Sequence, residues 1–178
     1  MKNQSTKKLV LAALFLALAY LLPFLTGQIP EIGSMLLPMH LPVLICGFVC
    51  GWPYGLAVGF AAPLLRSFTL GMPPPFPTAA AMAFELAAYG VITGICYKKL
   101  PKKPLFLYVD LLAAMIGGRI VWGAAMMICL GIKGGAFTWS AFLSGSVLSA
   151  IPGIVLQLIL VPIIVAVLQK AKLIPDDQ

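Results

Sequence analysis

Charge is what this chain has least of, and acid above all. Its 178 residues include five Asp or Glu, twelve Lys or Arg and one histidine. Charged residues make up 10% of the chain and hydrophobic ones 61%, too little charge to cover the surface of a soluble domain. The shortage of histidine and acid also removes most enzyme chemistry. There is no H-E-x-x-H, no clustered ligand set for a metal or cofactor, and no GxxxxGK[ST] loop for a nucleotide. Cysteine is sparse and scattered: Cys46, Cys50, Cys96 and Cys129 all lie inside apolar stretches, so no disulfide framework is expected. Cys46 and Cys50, four residues apart, share a helix face as a redox or metal pair would. With no second pair or neighbouring histidine ligand, small-residue packing is the plainer account.

The cations that are present report orientation. Lys2, Lys7 and Lys8 precede the first apolar stretch, Lys98, Lys99, Lys102 and Lys103 share one short loop, and Lys170 and Lys172 follow the last stretch. These are cytoplasmic positions under the positive-inside rule, so the net charge of +7 points to a bilayer and not to nucleic acid.

A hydrocarbon core of about 30 Å takes around 20 apolar helical residues. The chain accordingly reads as one all-α integral membrane domain over residues 1–178, with six transmembrane helices and both termini cytoplasmic. The spans fall near 9–25, 39–50, 56–70, 79–97, 105–130 and 141–168, the first retained rather than cleaved and the second short. Gly- and Pro-rich segments at Thr26–Pro38, Gly71–Thr78 and Gly131–Ser140 read as outer loops. Pro63 should bend the third span. No internal repeat and no inverted pair of broken helices of the secondary-transporter kind is evident.

Intramembrane charge marks protein interior or ligand path. Glu85 stands early in span four, and helical spacing sets Thr78, Met82, Glu85 and Tyr89 along one face, a mix of acceptor, hydroxyl and apolar surface suited to a small polar ligand. The rival reading is an ion pair with Arg66 or Arg119 that only ties helices together. Arg66, one turn past Pro63, suits a ligand carboxylate or phosphate, or snorkels to the outer interface. Arg119 is central in span five, with Trp122, Gly123 and Met126 on its face. Asp110, near the lysine loop, is expected to pair there. His40, between Pro38 and Pro42, reads as a structural hydrogen bonder, and Glu31 as a solvated loop residue. Ser146, Ser149, Gly153 and Gln157 recur along one side of span six, as residues of close helix packing do. Ala13 and Ala17 form a small-xxx-small pair in span one, for packing inside the protein or for another helix approaching in lipid.

Together these features resemble the substrate-binding S components of energy-coupling factor (ECF) transporters. The resemblance rests on the lysine-flanked first span with Ala13 and Ala17, and on LLPMHLPVLICGFVCG from Leu36 to Gly51. It extends to GFAAPLLRSFTLGMPPPFPTAAAMAFELAAYG from Gly59 to Gly90 and to GRIVWG from Gly118 to Gly123. It is strongest in the group handling pantothenate, pyridoxine and hydroxymethylpyrimidine. The resemblance implies a six-helix fold in the bacterial plasma membrane, with a vitamin pocket near the outer face closed by loops. It implies delivery by toppling within the membrane, with a transmembrane coupling subunit and two ATPase subunits as partners. Ala13 and Ala17 match the alanine motif that docks the coupling subunit.

On this reading the chain is a high-affinity capture subunit and not an enzyme. Glu85, Tyr89, Arg66, Arg119, Trp122 and Met82 contact the substrate, and Ile32, Phe76 and Trp139 lie in the loops that cover it. Pantothenate is the first ligand expected, its carboxylate toward an arginine and its hydroxyls toward Glu85, with pyridoxine or hydroxymethylpyrimidine next. The other readings are a self-sufficient carrier coupled to an ion gradient, and an envelope scaffold in which Glu85 and Arg119 are structural ions.

Overall fold

The computed structural model describes residues 2–26, 29, 35–135, 138–143, 150–171 and 173–174, and all regular structure among them is helical. Helix α1 (Lys2–Leu21) runs into a tight 3-10 turn at Leu22–Thr26. Helices α2 (His40–Cys50) and α3 (Trp52–Leu70) follow, then a wide turn at Pro75–Ala79 that leads into α4 (Ala80–Lys99). Helix α5 spans Pro104–Ile132, α6 is the single short piece Trp139–Leu143, and α7 spans Ile151–Lys170.

Among the described residues four stretches are long and apolar enough to cross a membrane: Gln4–Leu25, Pro75–Lys99, Pro104–Ile132 and Ile151–Lys170. Helix α2 has only 11 residues, and all of them except Leu41 are buried. At about 1.5 Å per residue it reaches roughly half the hydrocarbon thickness. It is a core helix, wrapped by its neighbours. Helix α3 is 19 residues long and carries Pro63 and the buried Arg66. Within the sixth expected span the described helices are α6, Trp139–Leu143, and α7, which begins at Ile151, and 144–149 lie outside the described residues. Pro152 accounts for the new start, since a proline in the first turn occupies a position whose N–H has no helical partner. The Gly71–Thr78 loop is also shorter than expected. From Pro75 it winds into the turn before α4, interrupted at Phe76, whose backbone is extended at φ −138° and ψ 131°.

Glycine sets how the inner helices meet. Gly51, at φ 92°, reverses the chain between α2 and α3 within one residue, a conformation L side chains rarely take. Across the α3–α4 interface a Cβ on Gly90 would lie 2.3 Å from the Gly55 backbone, and one on Gly59 would lie 2.3 Å from the Leu86 carbonyl oxygen. A Cβ on Gly94 would lie 2.2 Å from the Trp52 nitrogen. These helices therefore touch backbone to backbone, the close approach by which helices associate in lipid. Helix α2 joins them where Gly47 faces Thr93, whose hydroxyl is turned back onto the Tyr89 carbonyl at 2.8 Å. Cys46 and Cys50 are buried in this core and are not disulfide-bonded. The outward faces of α5 and α7 are apolar, with Leu105, Ile116, Ile120, Ile128, Ile159 and Ile163 all exposed.

Candidate functional site

The three-helix contact fixes the depth of Glu85, because Leu86, its neighbour in sequence, rests against Gly59. Glu85 is 1% exposed, and two nitrogen-bearing side chains from different helices converge on it. Arg119 of α5 places Nη1 2.9 Å from Glu85 Oε1, and His40, the first residue of α2, places Nε2 3.5 Å from the same oxygen. Both contacts are close and poorly aligned: Oε1 receives no well-directed hydrogen bond. Tyr89, one turn beyond Glu85, meets His40 edge to face with ring centroids 5.3 Å apart. The same ring lies flat on α5, where a Cβ at Gly118 would stand 3.0 Å from it. A carboxylate, a guanidinium, an imidazole and a phenol thus share one buried cluster drawn from α2, α4 and α5.

The cluster is rich in unpaired donors. Among the described residues, Arg119 Nε and Nη2 and both ring nitrogens of His40 have no hydrogen-bond partner. Gln157 Nε2 of α7 and Ser67 Oγ of α3 are buried and unpartnered as well. Leaving a buried polar group unpaired costs about 1–3 kcal/mol, so the unpaired nitrogens of Arg119 and His40 beside Glu85 are unusual for a region that serves packing alone. Beyond Arg119, α5 carries Trp122 and Gly123. Phe142 of α6 packs onto Gly123, 6.2 Å from the Trp122 ring and 5.2 Å from the Trp139 ring. These three aromatics form a layer at the α5–α6 end.

The other expected contacts are distributed differently. Met82 lies on the Glu85 helix, half-buried against the core. Arg66 does not join the cluster. Its Nη1 donates to the Tyr20 carbonyl at 2.9 Å, and its guanidinium lies 5.0 Å above the Phe24 ring, so it clasps α3 to the end of α1. Neither snorkelling nor a ligand contact is needed to explain it. Phe76 is held from α5: Lys133 Nζ stands 5.4 Å above its ring and 3.4 Å from its carbonyl oxygen. Trp139 is exposed. Ile32, like Glu31, Phe137, Ser146 and Ser149, lies outside the described residues. Ala13 and Ala17 are exposed on α1, whereas Ala12 and Ala19 are buried against the core. Asp110 does not pair with the lysine loop. It is 1% exposed, and its Oδ1 has no hydrogen-bond partner.

A helical bundle with an apolar exterior, several membrane-crossing helices and a buried charged cluster defines a multi-pass membrane protein with an interior polar site. Residues 7–165 match the family model described as "ECF transporter, substrate-specific component", and the chain belongs to that family. The family is one of transporter components for substrate recognition, and its members work with an ECF module at the cell membrane. No curated protein and no solved structure matches the chain.

Proposed function

We propose that this chain is the capture subunit for a small water-soluble vitamin or precursor carrying a carboxylate and hydroxyls, with pantothenate the first candidate and pyridoxine or hydroxymethylpyrimidine next. The observation that carries the reading is the surplus of donors around Glu85. Arg119 leaves Nε and Nη2 without hydrogen-bond partners and His40 adds a ring N–H, and a ligand carboxylate takes such a fork well. Glu85 accepts from ligand hydroxyls, and Tyr89 and Trp122 supply apolar area beside them. The misaligned Arg119–Glu85 contact supports the same reading, because it is a charge contact that a ligand can realign.

In the bilayer the chain makes six passes between two cytoplasmic termini, in keeping with the lysine placement, and α2, too short to span the hydrocarbon alone, makes its pass shielded by its neighbours. Phe76, Trp139 and Ile32 belong to the segments that cover the site from outside. The chain hydrolyses nothing itself. Uptake is driven by partner ATPases through a transmembrane coupling subunit, which docks on the exposed Ala13 and Ala17. Arg66 serves the reading from a distance, by holding α1 on α3.

The test is native mass spectrometry of the detergent-purified protein, then titration calorimetry with a panel of B vitamins and precursors. Tight binding of one acidic, hydroxylated member, weakened in Arg119→Ala, is the expected result. A folded protein that binds none of the panel overturns it.

A further inference from the structure

A second polar site lies at the opposite end of α4. Between the end of α4, the start of α5 and the last turns of α7 is a cavity of about 240 Å³, lined in part by Tyr97, Lys102, Lys103, Asp110, Ile163 and Gln169. Its chemistry is divided by depth. Asp110 is 1% exposed with Oδ1 unpartnered, while Lys102 and Lys103 stand exposed at the rim. Gln169 Nε2 donates to the Tyr97 hydroxyl across the cavity, and Lys102 Nζ sits 5.5 Å above the Tyr97 ring. The rim also includes apolar side chains that face outward: Tyr108 is 42% exposed and Ile163 55% exposed. The opening therefore straddles a cationic loop and a lipid-facing surface.

A buried carboxylate without a partner is unstable as a charge; it is neutralised or it meets a cation. Among the described residues no ion pair joins the loop lysines to Asp110, and at the exposed rim they can meet an anion. The complement of this arrangement is a zwitterion with an ammonium at its inner end and a phosphate at its outer end, attached to something apolar. We infer that the cavity between α5 and α7 binds the headgroup of an aminophospholipid, with the ammonium on Asp110, the phosphate on Lys102 and Lys103, and the acyl chains along Tyr108 and Ile163. The lipid is phosphatidylethanolamine by chemistry: its primary ammonium donates three hydrogen bonds and is small enough for a narrow site, which a trimethylated headgroup is not. The site is separate from the Glu85 cluster and does not depend on which vitamin binds there.

The experiment is native mass spectrometry of the full chain released from mixed micelles holding equal phosphatidylethanolamine, phosphatidylglycerol and phosphatidylcholine. Wild type should retain phosphatidylethanolamine by at least about tenfold over either of the others, the worth of one charge-assisted contact. Asp110→Asn should lose that preference, and the double variant Lys102→Gln with Lys103→Gln should lose phosphatidylethanolamine and phosphatidylglycerol alike. Equal retention of the three lipids by wild type overturns the site without any variant, so a variant that fails to fold does not leave it undecided. An unchanged preference in Asp110→Asn also overturns it. Soluble glycerophosphoethanolamine should compete only weakly; if it displaces the lipid at equal concentration, the occupant is a soluble zwitterion and the lipid assignment falls.

Discussion

Gly59 and Leu86 meet so closely that a Cβ on the glycine would fall 2.3 Å from the leucine's carbonyl oxygen. Glu85 is therefore placed by a backbone contact one residue away. Neither partner atom is the tip of a flexible side chain, so neither can swing aside.

Gly59→Val should accordingly separate α3 from α4 and shift Glu85 relative to Arg119. The expected outcome is a stability loss of about 1–3 kcal/mol or more, the usual range for overpacking, together with weakened vitamin binding. Thermal unfolding in detergent and calorimetry check the two effects. A variant with wild-type stability and affinity would remove the claim that this contact positions the site.

Removing a polar group from the cluster should act differently at each position. Arg119→Ala leaves the Glu85 carboxylate buried without its guanidinium, a change worth about 3–5 kcal/mol in other buried pairs, so both stability and binding should fall. Glu85→Gln removes the charge while keeping the shape and should weaken binding with a smaller effect on stability. His40→Ala should weaken binding by about tenfold, the loss of a single hydrogen bond to a charged group. Calorimetry and thermal melts on the three variants separate these outcomes; identical affinities in all three would dissociate the cluster from the ligand.

Arg66 offers the contrasting case. Its bond to the Tyr20 carbonyl and its stacking on Phe24 hold α1 against α3, away from the Glu85 cluster. Arg66→Met should lower the melting temperature and leave ligand affinity within about twofold, since a structural hydrogen bond from a charged group is worth about 1.5–3 kcal/mol. A large loss of affinity with an unchanged melt would return Arg66 to the binding site.

Ala13→Leu with Ala17→Leu should spare binding and impair uptake. Both alanines are exposed, so bulk there meets no neighbour within the chain but blocks the approach of a second helix. Vitamin binding by the purified subunit and uptake by cells carrying the whole transporter are the paired measurements. Undiminished uptake would place the coupling contact elsewhere.

Lys133→Ala should release Phe76 from α5 and raise the ligand's dissociation rate several-fold while leaving its equilibrium contacts with Glu85 intact. Stopped-flow release is the readout, because an exposed cation–π contact is worth only about 0.5–1 kcal/mol. No change in rate would mean that Phe76 does not cover the site.

Much of this was legible in the sequence because charge in an apolar span is so rarely incidental. Glu85 and Arg119 stood out on that ground alone, Tyr89 followed from helical spacing, and the family followed from motifs along the chain. What spacing does not encode is partner choice between helices. His40 was legible as a hydrogen bonder but not as a neighbour of Glu85, since 45 residues of chain separate them and only the enclosure of α2 brings them together. Arg66 looked equivalent to Arg119 because both are intramembrane arginines; only the position of the Tyr20 carbonyl distinguishes them. Proximity in sequence suggests that Asp110 pairs with the lysine loop, whereas its carboxylate is buried and Oδ1 has no hydrogen-bond partner. Pro152 reads in the sequence equally as a kink within span six and as a helix start, and it proves to stand in the first turn of α7.

The glycine contacts of α2, α3 and α4 have a mechanical corollary. Helices joined backbone to backbone have no side-chain rotamers to adjust and shift only as a block, so Glu85, Tyr89 and His40 stand on one stiff wall. Arg119 and Trp122 stand on α5, which meets that wall through the adjustable side chains of Tyr89 and Ile92. The molecule thus has a seam, and the 2.9 Å contact between Arg119 and Glu85 crosses it. Any solute wide enough to part the two must move α5 and leave the wall where it is.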